Sequence, residues 1–174
     1  MKTILETDRL MLREFILDDA QKIFSLNSDP EVTRYTGDLP FKSEKEATLF
    51  LSNYQDYKKY GFGRWAVLDK KTKLFLGWCG LKRNEENLID LGFRFFKNEW
   101  NKGFATESAT ACIYYGFNSL GFDKIIGRAA QENIASIKVL EKIGMHYWKT
   151  DVCHGITNAH YYMITKEAFT KKGY

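Results

Sequence analysis

The apolar positions of this chain alternate between two spacings. Short apolar runs bounded by polar loops predict strands, and apolar residues three or four positions apart predict helices. The predicted strands cover residues 9–15, 64–69, 74–81, 88–96, 124–130, 145–153 and 159–165. The predicted helices begin near Asp18, Ser43, Ala105 and Asn133. Helices interspersed between these strands predict an α/β protein with a mixed sheet covered by helices.

Several helix starts carry recognisable capping residues. Asp18 stands three positions before Gln21, and Ser43 three positions before Glu46, which is the spacing of a capping box. Asn133 is a suitable cap for the last predicted helix. These residues therefore predict where three of the helices begin.

The length of the chain suits one domain. It has 174 residues, 44% of them hydrophobic, and it shows no internal repeat, low-complexity tract or linker. We therefore expect a single domain over residues 1–174. The formal net charge of +4 comes from scattered basic residues, whereas a nucleic-acid-binding protein usually concentrates them on one footprint. We expect no nucleic-acid partner.

The sequence also lacks patterns typical of membrane, secreted and metal-binding proteins. No run approaches the ~18 apolar residues of a membrane span, and the N-terminus lacks the apolar segment of a secretory signal. Cys79, Cys112 and Cys153 share no close spacing, so they give neither a metal-ligand pattern nor a disulfide framework. We expect a cytoplasmic protein without a metal and without membrane association.

Residues 99–107 hold the most informative junction, where a predicted strand passes into a predicted helix through Gly103. The first turn of a helix directs unpaired N–H groups and a partial positive charge to one point, which favours phosphate oxygens. Gly103 lets the backbone approach a phosphate closely, and Lys102 adds a counter-charge. An ordinary strand-to-helix turn is the alternative. The glycine patterns of P-loops and dinucleotide-binding folds do not occur in the sequence.

Three segments resemble the GNAT N-acetyltransferase superfamily. Residues 100–105, Trp-Asn-Lys-Gly-Phe-Ala, are similar to its pyrophosphate signature Gln/Arg-x-x-Gly-x-Gly/Ala, with Trp100 in place of Gln or Arg. Residues 133–145 resemble the Asn-x-x-Ser-x-x-Val-Leu-Glu-Lys-x-Gly-Phe helix of the branch that contains the Rim-type ribosomal-protein N-terminal acetyltransferases. Residues 5–13 resemble the first strand of that branch. The three matches lie in order and span nearly the whole chain.

The resemblance implies a GNAT-like domain with a mostly antiparallel mixed sheet and two splayed central strands, here 88–96 and 124–130. It also implies acetyl-CoA as the donor, with its pantetheine arm in the gap between the splayed strands. Backbone groups around Phe95 are then expected to pair with the arm like an added strand, and Asn133 is expected to reach it. The residues whose amides are expected to hold the pyrophosphate are Lys102, Gly103, Phe104, Ala105 and Thr106.

The acceptor amine must lose a proton before it attacks the thioester. A free α-amino group has a pKa of about 7.7–8.0 and a lysine amine of about 10.4, so an N-terminal acceptor needs only a modest base. Asp90, two residues before Gly92 on a predicted strand, is the candidate base; a solvent-facing Asp90 without a role is the alternative. Further candidates are Glu85, Glu86, Asp151 and His154.

The leaving CoA thiolate needs a proton less urgently, because a thiol pKa is about 8.5. Many relatives use a tyrosine of the last helix, but Leu140 occupies that place here. The Rim-type resemblance instead implies Ser136 as the acid, and a local helix-capping role is its alternative. Tyr161 and Tyr162 are further candidates. The tryptophans interpreted as packing residues are Trp65, Trp78 and Trp100.

These expectations describe an acetyl-CoA-dependent N-acetyltransferase that transfers the acetyl group directly to a primary amine in a ternary complex. The acceptor is a protein N-terminus or a small molecule, bound by walls from residues 40–60 and 150–160. A non-catalytic CoA-binding or sensor domain of the same fold is one alternative, and a basic binding module without a CoA site is another. The oligomeric state stays open, with a homodimer among the options.

Overall fold

The computed structural model describes residues 2–153 and 155–171, and its strands form one eight-stranded sheet. The strands are β1 (Thr3–Glu6), β2 (Leu10–Arg13), β3 (Arg64–Asp69), β4 (Phe75–Arg83), β5 (Ile89–Phe95), β6 (Lys124–Ala130), β7 (His146–Cys153) and β8 (Ile156–Thr165). Their order across the sheet is β1-β2-β3-β4-β5-β6-β8-β7.

Seven α-helices lie in this described part of the chain. They are α1 (Ala20–Ser28), α2 (Pro30–Thr33), α3 (Glu44–Ser52), α4 (Asp56–Tyr60), α5 (Phe104–Asn118), α6 (Ile134–Lys142) and α7 (Lys166–Lys171). Short 3-10 turns cover Leu17–Asp19 and Lys97–Glu99. None of the helices in the described ranges is both long and apolar enough to cross a membrane.

The centre of the sheet contains its one parallel contact in the described chain, between β5 and β6. All other neighbouring strands are antiparallel. β5 and β6 pair only at Asp90 with Ile126 and at Leu91 with Gly127, although β5 continues to Phe95. The two strands therefore diverge beyond Leu91. This confirms the predicted mostly antiparallel mixed sheet with two splayed central strands.

The main core lies between the sheet and α5. Cys79, Leu81 and Leu91 point from β4 and β5 into it, and each is at most 2% exposed. Ile113 and Phe117 of α5 cover them with similar burial. Burial of these apolar side chains is the main favourable term that holds α5, and with it the turn before α5, against the sheet.

The opposite face of the sheet is covered by α1 and α3. Trp78 of β4 packs there with Ile23 of α1 and Ala47 of α3. Successive residues of a strand point to opposite faces. Since Leu91 faces α5, the neighbouring Asp90 points to the α1 and α3 side.

Local capping chemistry is partly as predicted. Ser43 Oγ accepts a hydrogen bond from the Glu46 N–H at 3.4 Å, which confirms the cap of α3. The cap predicted at Asp18 is wrong. Asp18 lies inside the 3-10 turn, and α1 begins after Asp19, whose side chain makes no capping hydrogen bond to α1. The Asp19 carboxylate instead accepts the Ile16 N–H at 2.9 Å and forms a buried ion pair with Arg13 at 2.6 Å.

Three elements were not predicted from the sequence. β1 has four residues, and its burial pattern carries no clean apolar alternation. α4 forms separately from α3 and ends at Gly61, whose φ of +79° is the left-handed conformation that glycine adopts easily. α7 follows β8 directly and buries Phe169.

Candidate active site

A cleft of about 320 Å³ opens where β5 and β6 diverge. β5 supplies Leu91, Gly92 and Phe93, and β6 supplies Arg128, Ala129 and Ala130. α6 closes one side with Asn133, Ser136 and Leu140. The structure thus brings the predicted residues Asp90, Asn133 and Ser136 to one cleft.

The edge of β5 that faces this cleft carries backbone groups without a neighbouring strand. The Phe96 N–H donates to Leu76 O on β4 at 3.1 Å, so the backbone groups of Phe95 point the other way, towards the cleft. Within the described residues, pairing with β6 stops at Leu91. The backbone from Gly92 to Phe95 is therefore open to an extended ligand.

Trp100 fixes the end of this edge. Its indole N–H donates to the Phe95 carbonyl oxygen at 2.9 Å, and its side chain is 40% exposed. The Phe95 N–H remains as the donor towards the cleft. The resemblance expects Gln or Arg at this position. The hydrogen bond from the indole to Phe95 gives tryptophan a structural role there.

The turn predicted to bind phosphate lies at Gly103, three residues after Trp100. Gly103 has a φ of +83° and stands at the N-cap of α5, where no side chain caps the helix. The first intrahelical bond runs from the Glu107 N–H to Gly103 O at 3.0 Å. The amides of Phe104, Ala105 and Thr106 therefore have no acceptor within the helix. These predicted residues, with Lys102, lie at the start of α5 and do not line the cleft itself.

Arg9 clamps this turn from the loop between β1 and β2. Its guanidinium donates to the Glu107 carboxylate at 2.7 Å and to the Lys102 carbonyl oxygen at 3.0 Å. It also lies over the Phe104 ring, 4.7 Å from the ring centre. Thr7 Oγ donates to the same carboxylate at 2.5 Å. Sequence reasoning did not identify this clamp, because its parts are 98 residues apart.

The clamp changes the proton affinity of Glu107. Burial alone raises the pKa of this carboxyl, but hydrogen bonds from Thr7 and Arg9 outweigh burial and hold the pKa below its ordinary value. Glu107 is therefore charged at neutral pH. A charged Glu107 keeps Arg9 beside the turn.

Asp90 lies at the floor of the cleft and is 4% exposed. One carboxylate oxygen accepts from Arg64 at 2.6 Å and the other from Arg128 at 3.1 Å. Burial lowers the pKa of Arg128, but the charge of Asp90 outweighs burial and raises it. Gly92 makes room for this arrangement, since a Cβ atom there would lie 2.6 Å from an Arg64 nitrogen. The alternative of a solvent-facing Asp90 is thereby wrong.

Asn133 and Ser136 meet at the start of α6. Asn133 Oδ1 accepts from the Ser136 N–H at 3.1 Å, which confirms the predicted helix cap and leaves the Asn133 amide NH₂ as a donor. Ser136 is half-buried, and it lines the cleft. The capping bond uses the backbone of Ser136 and leaves its hydroxyl available for another partner.

The two candidate tyrosines are buried. Tyr161 donates its hydroxyl to Val152 O at 3.0 Å, and Tyr162 donates to Glu141 at 3.4 Å. Burial raises the pKa of both hydroxyls. Each hydroxyl proton is therefore committed to a partner within the fold, so neither tyrosine is well placed to protonate a ligand.

The remaining candidates for the base lie away from the cleft floor. Asp151 is exposed and forms an ion pair with Lys149 at 2.6 Å, which lowers the pKa of Asp151. Glu86 lies 3.9 Å from the same lysine. Glu85 lines the cleft. His154 lies outside the described residues.

A second cavity of about 330 Å³, which we call the side pocket, lies between the sheet and helices α1 and α3. Its lining residues are Phe15, Ile23, Asn27, Asp38, Leu39, Phe41, Phe50, Arg64, Trp78 and Arg94. Half of these residues also line the cleft, so the two spaces are joined. Phe41 and Phe50 belong to the predicted acceptor wall at 40–60. Trp78 packs against α1 and α3, as interpreted from the sequence, and also lines the side pocket.

Arg94 and Trp78 shape the side pocket. The Arg94 guanidinium donates to Asp38 at 2.5 Å and to Asn27, and it lies 5.3 Å from the Trp78 ring centre. The Arg64 guanidinium lies 5.5 Å from the same ring. Two cations therefore contact one indole at the junction between the pocket and the cleft.

A comparison with known protein families identifies the family to which this fold belongs. A family model described as Acetyltransferase (GNAT) domain matches residues 9–146. The match covers most of the chain, so the chain belongs to the GNAT acetyltransferases, an enzyme family. Among residues 2–153 and 155–171, no three His, Cys, Asp or Glu side chains are grouped to hold a metal ion.

Individual relatives agree with this assignment. The protein YkkB of Bacillus subtilis is 38% identical over 154 residues, covering 86% of this chain and 88% of YkkB. The "uncharacterized N-acetyltransferase p20" of Bacillus licheniformis is 34% identical over 142 residues, covering 80% of each chain. A spermidine N-acetyltransferase from Vibrio cholerae, solved with CoA and spermine, shares the fold with a TM-score of 0.79. That match covers 94% of this chain and 99% of the other at 20% identity.

Proposed function

We propose that this protein is an acetyl-CoA-dependent N-acetyltransferase that moves the acetyl group directly to a primary amine in a ternary complex. The observation that carries the proposal is the open edge of β5, which runs from Gly92 to Phe95 and leads through Trp100 into the turn at Gly103. An extended amide-containing arm with a pyrophosphate at one end matches this sequence of groups.

The donor is held by backbone groups. The pantetheine arm lies along the β5 edge and pairs with the Phe95 N–H and its neighbours as an added strand. Asn133 offers its amide NH₂ from the opposite side of the cleft. The pyrophosphate binds the amides of residues 102–106, where the dipole of α5 adds partial positive charge. The Lys102 ammonium adds a full charge, which its pairing with Glu99 at 3.0 Å partly offsets.

The electrostatics of the cleft favour a neutral acceptor amine. Arg64 and Arg128 flank the floor of the cleft, and Arg94 lies at the junction with the side pocket. Nearby positive charge disfavours an ammonium ion and so lowers the pKa of a bound amine. The amine can then attack the thioester with little help from a strong base.

Asp90 and Ser136 handle the protons. Asp90 receives the amine proton directly or through water, and its pairing with Arg64 and Arg128 fixes its position. Ser136 donates a proton to the departing thiolate. A second backbone N–H near Phe95 on the open edge of β5, one that does not pair with the pantetheine arm, stabilises the oxyanion that forms on the attacked carbonyl.

The proposal has two versions, which differ in the class of acceptor amine. The Rim-like segments at 5–13, 100–105 and 133–145 favour a protein N-terminal α-amine. The joined cleft and side pocket, which have room for a compact molecule, favour a small amine.

The test is thiol release from acetyl-CoA with a panel of amines and N-terminal peptides. We expect thiol release that depends on both the enzyme and an unblocked amine. Saturable acetyl-CoA binding, measured by calorimetry, without thiol release from any amine or peptide would overturn the proposal. That result would identify the non-catalytic CoA-binding alternative.

A further inference from the structure

The side pocket has the size and lining of a small-molecule site. Its volume of about 330 Å³ lies at the lower end of the range for ligand pockets. Phe15, Phe41 and Phe50 supply aromatic walls, and the Phe41 and Phe50 rings lie 5.8 Å apart. The pocket opens into the cleft beside Trp78. A compact, largely apolar molecule in it reaches the cleft from the side opposite α5.

The joined spaces carry a small excess of positive charge, from four cationic and three anionic residues. The cationic residues that line them are Arg64, Lys82, Arg94 and Arg128. The anionic residues are Asp38, Glu85 and Asp90. Asp90 is already paired with Arg64 and Arg128, and Asp38 with Arg94. A polyamine brings several positive charges, whereas two of these three carboxylates already pair with arginines.

Arg94 is the group best placed to bind an anion. Its side chain is 10% exposed and lies against Trp78, so little water competes for it. A guanidinium has five N–H donors, and the hydrogen bonds to Asn27 and Asp38 use two of them. Asp38 is 51% exposed, so this carboxylate lies at the rim. Arginine binds carboxylates well because its donors match the two oxygens.

We propose that the side pocket selects an acceptor amine with an apolar or aromatic body and a carboxylate, such as a free amino acid with a large apolar side chain. The carboxylate binds Arg94, the body packs on Trp78 and the phenylalanines, and the amine points into the cleft. Polyamines are disfavoured. This inference rests on the proposed acetyl transfer and names its acceptor class.

The experiment compares kcat/KM for L-phenylalanine, L-phenylalaninamide and spermidine by thiol release from acetyl-CoA. The amide keeps the shape and loses the charge, and its amine is deprotonated more easily, so a slower reaction reports the missing carboxylate. We expect L-phenylalanine to exceed both by about tenfold or more, since a hydrogen bond to a charged group contributes roughly 1.5–3 kcal/mol. Equal or faster transfer to the amide or to spermidine would overturn the inference.

Variants assign the effect to Arg94. Arg94→Gln should remove the preference for L-phenylalanine over its amide, and Arg94→Lys should retain part of it. Arg83→Gln is the matched control, because Arg83 lies on β4 outside the lining of both cavities and bonds Asn87. It should keep the wild-type ratio. An unchanged ratio in folded Arg94→Gln would overturn the assignment, and the wild-type comparison decides the matter if that variant does not fold.

Failure of this inference and failure of the proposed function are distinguishable. Calorimetry of L-phenylalanine with the CoA-loaded protein reports binding without chemistry. Binding that Arg94→Gln abolishes, with no thiol release from any amine, would support the pocket and overturn the transferase proposal. Thiol release with amines other than L-phenylalanine, and no binding of L-phenylalanine, would support the transferase proposal and overturn the inference about the side pocket.

Discussion

The Arg9 guanidinium and the Glu107 carboxylate are joined by a hydrogen bond of 2.7 Å across 98 residues of sequence. The pair ties the loop between β1 and β2 to the first turn of α5. That turn carries the amides to which we assign the CoA pyrophosphate. The geometry of the donor site therefore depends on a contact that no local sequence pattern contains.

Glu107→Gln should destabilise the fold by about 1–2 kcal/mol at neutral pH, because charge-assisted hydrogen bonds are lost. The pKa of Glu107 is lower in the folded state, so its contribution is present above the unfolded pKa of about 4.3. It is lost as the pH falls through the folded pKa. Urea unfolding at several pH values should show the variant and wild type converging below about pH 4.

The control for this measurement is Glu167→Gln. Glu167 pairs with Lys171 on α7, but its side chain is 76% exposed. An exposed pair of this kind contributes little. A difference between Glu107→Gln and wild type that does not shrink in acid would contradict the role of the charged carboxylate.

Gly103→Asn should weaken CoA binding by about tenfold or more while the fold survives, because hydrogen bonds to a charged phosphate contribute roughly 1.5–3 kcal/mol. Asparagine tolerates the positive φ of this position better than other side chains. An added Cβ atom there would lie 3.3 Å from an Arg9 guanidinium nitrogen, so the side chain would stand in the space beside the turn where the phosphate is placed. Calorimetry with CoA gives the affinity, and thermal unfolding verifies the fold.

Gly121→Asn is the matched control for that change. Gly121 has a φ of +70° just after α5, and an added Cβ atom there meets nothing within 4 Å. Asparagine at position 121 therefore carries a similar backbone strain, but far from the turn at Gly103. If both variants bind CoA equally well, the pyrophosphate does not lie at Gly103.

Asp90→Asn should lower kcat and leave CoA affinity nearly unchanged. A positioned base typically contributes ~10²–10⁴-fold in rate, and an α-amine of modest pKa places this change at the low end. The loss should shrink as the pH rises and more of the free amine is neutral. Asp151→Asn, which alters an exposed carboxylate, should leave the pH–rate profile unchanged.

The same substitution also disturbs Arg64 and Arg128. Breaking a buried ion pair commonly costs about 3–5 kcal/mol, so unfolding must be measured beside kcat. A folded Asp90→Asn that loses rate equally at every pH would indicate that Asp90 only positions the arginines. Its role as a proton acceptor would then be wrong.

Ser136→Ala should lower kcat most below the thiol pKa of about 8.5 and less above it, where a thiolate leaves unaided. Ser136 lines the cleft and its backbone amide is held by Asn133, so the helix cap survives the change. Ser119→Ala, at the exposed end of α5, is the control. A pH profile identical to wild type, with chemistry rate-limiting, would remove Ser136 from the mechanism.

The fold was predictable to a large extent because its elements carry local signals. The pattern of apolar residues locates β3, β4 and β5 as apolar runs between polar loops, and α5 by its buried face. Ser43 and Asn133 mark helix starts because their side chains bond the next turn. β1 was missed because a short strand at the sheet edge, four residues long, needs no apolar alternation.

The site was less predictable because its charges are paired through space. Sequence placed Asp90 on the right strand, but its partners lie 26 and 38 residues away in the chain. The sequence around Arg94 does not distinguish it from other arginines of a strand. Its hydrogen-bond partners Asn27 and Asp38 come from distant parts of the chain. Spacing within one element cannot reveal such contacts, whereas the turn at Gly103 is local and was found.

The most direct measurement of the central claim is mass spectrometry of an amine acceptor after incubation with acetyl-CoA that carries an isotope-labelled acetyl group. The account predicts that the labelled acetyl appears on the amine nitrogen, with one CoA thiol released for each acetylated amine. CoA binding at the Gly103 turn with no labelled acceptor, or thiol release that leaves every amine unlabelled, would contradict it.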